Sequence, residues 1–252
     1  MTITQEHLRT LVGTTQEREQ FWVDVLARTD ARKVAEVGVF RGEFAERVLD
    51  GCPAITDYYL VDPWRHLDDW NKPANRPDDQ FREIFDEAMR RTAQHEDRRI
   101  VLRGRTSEVI DEIPDHHLDF AYIDADHTLR GITIDLIQVW NKVRPGGWIG
   151  GDDFRPNIWH HGQKFEPTMV FPFAVYFAEA VGCPIYGLRF RQFLIEKAPE
   201  KGFSFTDLTG NYPATDVLTQ ISKGGTPGGQ GGKGNRGAGK RIGRGRKKRQ
   251  QD

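Results

Sequence analysis

Five short apolar runs, at residues 33–37, 58–61, 98–102, 118–123 and 147–151, punctuate the chain, and between them apolar positions recur at helical spacing. Runs of that length predict buried strands, and the 3.6-residue recurrence predicts helices at about 43–49, 79–94, 106–112 and 128–142. The last of these places Ile132, Leu136, Val139, Trp140 and Val143 on one side. Strand alternating with helix predicts an α/β fold with a doubly wound, mostly parallel sheet. Residues Val170 to Val181 read as a further helix, and Ile185 to Phe190 with Gln192 to Glu196 as a terminal strand pair. Near the start, Thr14-x-x-Glu17 has the form of a capping box opening a helix whose apolar face is Phe21, Trp22, Val25 and Leu26. There is no internal repeat.

A chain of 252 residues with 37% hydrophobic residues, six Trp and fifteen Phe can bury one α/β core. The net charge of −1 conceals an asymmetry: residues 223–252 hold ten of the 36 Lys and Arg against one acid (+9), leaving 26 basic and 36 acidic residues before them (−10). That tail carries eleven glycines and almost nothing apolar beyond Ile242, so disorder is expected there. The expected organisation is an N-terminal helical segment (1–30), one catalytic domain (31–200), a linker (201–222) and a disordered basic tail (223–252). Cys52 and Cys183 are isolated and form no C-x-x-C, which suits a reducing compartment. No apolar stretch approaches ~18 residues and the start lacks a basic-then-apolar signal, so a cytoplasmic location without a membrane span is expected.

Candidate chemistry begins at Glu36-Val37-Gly38-Val39-Phe40-Arg41-Gly42, a glycine turn between the first strand and a helix carrying Phe44 and Val48. Such a strand-turn-helix receives nucleotide-like cofactors. A pyrophosphate-binding turn reads G-x-G-x-x-G; here the spacing is Gly38-x-x-x-Gly42 with Glu36 two residues before the first glycine. A carboxylate there repels pyrophosphate and favours an ammonium or sulfonium, the signature of S-adenosylmethionine rather than NAD. Asp62 ends the second strand 24 residues after Gly38, close to the offset at which an acid reaches a ribose diol. A helix-capping turn and a solvated Asp62 are the bland alternatives. A second set, Ile123-Asp124-Ala125-Asp126-His127 and Gly151-Asp152-Asp153, follows two later strands. Ligands sit outside the carboxyl ends of parallel strands, so both sets should face one crevice. The expected cofactor set is Glu36, Gly38, Phe40, Gly42, Asp62, Thr106, Ser107 and Asp124.

From about Ala31 to Ala198 the chain resembles the class I S-adenosylmethionine-dependent methyltransferases. Tyr122-Ile123-Asp124-Ala125-Asp126-His127 with Arg144-Pro145-Gly146-Gly147-Trp148-Ile149-Gly150-Gly151-Asp152-Asp153-Phe154 is similar to the group related to macrocin O-methyltransferase, which shares its acidic spacing with catechol O-methyltransferase. The resemblance implies a seven-stranded sheet ending in the strand pair, Asp124, Asp152 and Asp153 as ligands of a divalent cation, and catalysis by His127 as base together with Asp124. Leu129 departs from it, since many relatives carry tyrosine there. Three carboxylates without thiolate suit a hard cation such as Mg²⁺, on which a substrate hydroxyl would become acidic enough to lose its proton near neutral pH. Structural readings stand beside these: Asp152 and Asp153 as turn caps, and His127 as a satisfied imidazole. Asp126 is read as a cap of the helix near Thr128.

Two irregular stretches, Pro63 to Gln80 and Arg155 to Thr168, follow directly on Asp62 and Asp153 and are expected to wall and cover the pocket. The pairs His116-His117 and His160-His161 are read as surface or lid residues. The expected acceptor is a hydroxyl of a sugar or other small molecule. A different reading makes the tail a nonspecific nucleic-acid or polyanion anchor, as ten cations allow. That arm lacks interleaved aromatics for stacking on bases. A third reading, an inactive scaffold of the same fold, is opposed by the acidic cluster.

Overall fold

The computed structural model describes residues 3–212; the expected tail at 223–252 lies outside them. Strands β1 (Lys33–Val37), β2 (Asp57–Asp62), β3 (Arg99–Arg103), β4 (Leu118–Ile123), β5 (Val143–Gly151), β6 (Pro184–Leu188), β7 (Gln192–Glu196) and β8 (Ser204–Asp207) form one sheet in the order β3-β2-β1-β4-β5-β7-β6-β8. The first five are parallel, and β7 runs antiparallel to both β5 and β6. All seven expected strands are present. An eighth, within the stretch read as a linker, pairs in parallel with β6, and Tyr212 beyond it is buried and donates to the Leu188 carbonyl at 2.6 Å. β5 begins at Val143, earlier than its apolar run, because its pairing with β4 continues across a register shift between Leu118 and Phe120.

Alternation along the strands assigns the two faces. Val34, Tyr58, Leu60, Phe120 and Tyr122 pack on the side of helices α1 (Gln5–Thr14), α2 (Arg18–Thr29), α3 (Glu43–Gly51) and α4 (Asp78–Arg91). Ala35, Val37, Val61, Ala121 and Ile123 pack on the side of α5 (Thr106–Val109), α6 (Leu129–Lys142) and α7 (Val170–Ala180). Helix α2 buries the expected face, and Trp22 seats on the sheet against Phe120 and Tyr122, its indole N–H donating to Gln192 Oε1 at 2.8 Å. Gly150 makes room for it: a Cβ there would lie 2.3 Å from the Trp22 ring. This docking carries Arg18, at the start of α2, to the carboxyl ends of β4 and β5.

The Thr14 capping box does not form. Thr14 is the last residue of α1, where its hydroxyl donates to the Thr10 carbonyl, and Glu17 caps α2 without a side-chain bond. A box exists one helix earlier, between Thr4 and His7. The N-terminal helical segment holds two helices, because Thr15 turns extended and ends the first of them. Among the described residues no helix is long and apolar enough to cross a membrane.

Candidate active site

The turn after β1 is fixed by a close approach and by a carboxylate. Gly38 has φ +91°, and a Cβ there would fall 2.1 Å from the Asp124 carbonyl oxygen, so only glycine lets the ends of β1 and β4 meet. Asp62, buried at the end of β2, accepts from the N–H groups of Val39 (3.0 Å) and Phe40 (2.9 Å) through Oδ2, and from Trp64 N–H (2.8 Å) through Oδ1. Burial raises its pKa while those three donors oppose the shift. Glu36 is buried one turn of the pleat earlier and accepts from the Tyr58 hydroxyl at 2.8 Å. Burial holds it well above the usual carboxylate range, against the Tyr58 bond and with the help of Asp124 and Asp62.

These groups open onto a cavity of about 460 Å³. Its walls include Glu36, Gly38, Phe40, Asp62, Thr106, Ser107 and Asp124 of the expected cofactor set. Gly42 is the exception. It is not on the cavity wall; at φ +77° it starts α3 with its Cα facing α4, where a Cβ would meet Ala88 at 3.0 Å. Its role is the close packing of two helices.

At the far side of the cavity stand Asp124, His127 and Asp153. The His127 ring is held between the two acids: Nδ1 lies 2.7 Å from Asp153 Oδ2, and Nε2 lies 3.2 Å from Asp124 Oδ1 without hydrogen-bond geometry, so this buried nitrogen has no bonded partner. Burial disfavours the charged ring, but Asp124 and Asp153 outweigh it and raise the His127 pKa to about 10. Asp153 is pulled well below the carboxylate range by His127, His160 and Arg155 despite its burial. Its backbone adopts φ +53°, strained for a non-glycine residue at the end of a strand.

Asp152 faces elsewhere. Its Oδ2 is 2.5 Å from Arg18 Nη1, and its Oδ1 accepts from Asp153 N–H (2.6 Å) and Gln192 Nε2 (2.5 Å). Arg18 Nη1 is also 3.5 Å from Asp124 Oδ2. Burial first and Asp124 next push Asp152 up to about 6, with Arg18 opposing. The three carboxylates expected as metal ligands thus stand at adjacent strand ends but do not turn to one point. Arg18 is the cation paired with Asp124 and Asp152, while Asp153 turns away from them toward His127, Arg155 and His160. So arranged, they do not fit a divalent ion. Arg18 carried no sequence signal: it is one cation on a solvated helix flank until α2 docks.

Across the eight-stranded sheet, β3-β2-β1-β4-β5-β7-β6 with ligand-facing strand ends and an acid closing β2 is one arrangement in one order. Residues 35–154 match the model of a family described as a methyltransferase domain. That segment, just under half of the chain, is similar to a methyltransferase domain. Solved structures agree at the level of fold. A putative caffeoyl-CoA O-methyltransferase from Staphylococcus aureus is 12% identical, with 77% of this chain and 93% of that one covered at a TM-score of 0.51. A putative O-methyltransferase from Klebsiella pneumoniae is 15% identical over 75% and 86% of the two chains, also at 0.51. No curated protein sequence matches.

The loops after β2 and β5 meet over the cavity, as expected of walls and a lid. Lys72 is buried and donates to the Glu166 carbonyl (2.8 Å) and the Thr168 hydroxyl (3.2 Å), while Asn71 Nδ2 donates to the Lys164 carbonyl (2.9 Å). Trp70 Nε1 donates to Asp126 Oδ1 at 3.0 Å, and the same oxygen accepts from Thr128 N–H, so Asp126 supports the start of α6 while Thr128 is its cap. Leu129 is exposed and away from the wall. His116 and His117 lie at the opposite end of the sheet, His117 beside Tyr59. His160 and His161 do come to the site, beside Asp153, where sequence spacing offered no reason to join them to it.

Proposed function

We propose that the chain transfers the methyl group of S-adenosylmethionine to a hydroxyl oxygen of a small molecule, such as a sugar. The observation that carries this reading is the continuity of one cavity from Glu36, Gly38 and Asp62 to the His127 cluster. The first end offers polar side chains and a tight glycine turn to the donor, and the second offers a proton acceptor. The names of the two O-methyltransferases of similar fold support oxygen as the acceptor atom.

His127 is oriented for the proton. In the neutral tautomer protonated at Nδ1, the nitrogen 2.7 Å from Asp153 Oδ2, the ring presents Nε2 as a lone pair on the cavity wall. The acceptor oxygen attacks the methyl carbon in line, the carbon–sulfur bond breaks with its electrons left on sulfur, and the hydroxyl proton goes to Nε2. The product is S-adenosylhomocysteine. In the free protein the two acids hold the ring protonated; the sulfonium brings positive charge to the same cavity and favours loss of that proton. No step passes through a cation among Asp124, Asp152 and Asp153.

Calorimetry with S-adenosylhomocysteine tests the cofactor half. Wild type should bind, and Asp62→Ala should bind about 10- to 100-fold more weakly, since three turn N–H groups lose their acceptor (roughly 1–3 kcal/mol). Absent binding by the wild type, or preference for NAD, defeats the reading. We also propose that residues 224–252 add an electrostatic anchor for polyanions. Deleting them should leave S-adenosylhomocysteine affinity unchanged and remove any salt-sensitive retention on DNA-cellulose; equal retention of both forms ends that proposal.

A further inference from the structure

Beside the methyl-transfer machinery, the loop after β5 brings two histidines to a carboxylate they do not satisfy. One ligand-type atom from each of Asp153, His160 and His161 lies within 4.8 Å of the others. The imidazole rings of His160 and His161 stack with centroids 3.8 Å apart and planes inclined by 43°. His160 Nε2 is 3.3 Å from Asp153 Oδ2 yet outside hydrogen-bond geometry. Both nitrogens of His160 and Nδ1 of His161 are buried without a hydrogen-bond partner. Three orphaned imidazole nitrogens in one place are costly, since each buried polar atom left unpaired loses its hydration for nothing.

The backbone of the loop that holds them is tied in place. Thr168 N–H donates to the Ile158 carbonyl (2.8 Å), Gly162 N–H to the Trp159 carbonyl (2.8 Å), and Met169 N–H to the carbonyl of His127 (2.8 Å). Lys72 pins the far side through Glu166 and Thr168. A pre-positioned pair of imidazoles facing an ionised carboxylate is a ligand set.

Its chemistry differs from that of the three carboxylates. Two imidazoles and one carboxylate select a borderline transition-metal ion over Mg²⁺, which prefers all-oxygen sites. Donors bound to one such ion at ~2.1 Å stand roughly 3.0–3.4 Å apart, so the present spacing closes with side-chain rotations of about an ångström. We propose that Asp153, His160 and His161 bind a divalent ion of the Zn²⁺, Co²⁺ and Ni²⁺ class through one carboxylate oxygen and one nitrogen of each ring. Asp153 and His161 line the cavity, so the ion's remaining positions face the space where an oxygen ligand of the acceptor would enter.

The test uses the untagged full-length chain, stripped with chelator, without cofactor or acceptor, so it stands apart from the methyl-transfer reading, which S-adenosylhomocysteine binding judges separately. Titration with Zn²⁺ and Co²⁺, followed by calorimetry and by the visible spectrum of Co²⁺, should show one saturable site, with Mg²⁺ giving none. His160→Gln and His161→Gln, each checked for an unchanged circular-dichroism melt, should weaken Zn²⁺ about 100-fold or more, beyond the 10- to 100-fold typical of outer-shell changes. His116→Gln and Asp152→Asn should match wild type. Absence of saturable Zn²⁺ and Co²⁺ binding overturns the proposal, as does undiminished binding in the His160→Gln/His161→Gln double variant. Saturable Mg²⁺ binding lost in Asp152→Asn also overturns it, because that would place a hard cation among the three carboxylates. Should either single variant melt early, His161→Ala supplies the same comparison.

Discussion

Replacing His127 by alanine should slow methyl transfer about 100- to 10,000-fold while leaving S-adenosylhomocysteine affinity nearly unchanged, because a positioned base acts on the transition state and not on the bound donor. The geometry makes the loss specific to that ring. Asp153 orients Nδ1 at 2.7 Å, and Nε2 is the buried nitrogen left without a bonded partner on the cavity wall. The pH profile carries the same information. A base works only deprotonated, so the rate should rise with pH. In the free enzyme the rising limb of kcat/KM should sit near the raised value of about 10 that burial opposes and Asp124 and Asp153 impose. The limb of kcat should fall at lower pH, because the bound sulfonium disfavours a second cation. In His127→Ala that limb should vanish at whatever rate remains. An alanine variant with wild-type turnover and an intact rising limb would move the base elsewhere, with Asp124 the nearest alternative.

What the sequence disclosed follows from how local each signal is. Strands β1 to β5 announced themselves because a parallel sheet buried on both faces needs continuous apolar runs, and helix α6 because one side of it must be apolar. Gly38 and Asp62 were legible as a pair, since a tight turn and an acid at a fixed offset are both encoded within one βαβ unit. Gly42 was misplaced because glycine at a helix start serves a ligand or a neighbouring helix equally well in sequence; only the 3.0 Å approach to Ala88 separates them. The extra strand Ser204–Asp207 was missed because one exposed and three half-buried edge residues lack an apolar run. The acids were read as one set because sequence shows their spacing and not their directions. Asp152 turns toward Gln192 and Arg18, which arrive from β7 and α2, 40 and 134 residues away. His160 and His161 were invisible for the same reason. Their meeting with Asp153 depends on a loop folded back and tied by Lys72, 96 residues from its Thr168 partner.

The other large effect concerns Asp135, a carboxyl on α6 that no motif singled out. Its Oδ1 accepts from the Thr106 hydroxyl at 2.5 Å, and its buried Oδ2 has no partner, at the Thr106 side of the cavity. Burial dominates and raises its pKa to about 7, with Thr106 opposing and Asp126 adding. The sign follows from linkage. The unfolded chain ionises at about 3.9, so between that pH and about 7 the unfolded state sheds a proton that the folded state keeps, and stability falls across the window; above it the penalty is complete, on the order of 4 kcal/mol. Asp135→Asn removes the ionisation and keeps an oxygen for Thr106, at the cost of an amide N–H that needs an acceptor, about 1–3 kcal/mol and independent of pH. The decisive quantity is therefore a difference. In urea titrations without cofactor, the stability of Asp135→Asn relative to wild type should be about 3–4 kcal/mol more favourable at pH 8 than at pH 4. The thermal midpoint should follow in the same direction, by roughly 2–4 °C per kcal/mol for a chain of this size. A relative stability that stays flat from pH 4 to pH 8 would mean that Asp135 ionises in the folded protein as it does in water, and that the space beside its free oxygen holds a compensating donor.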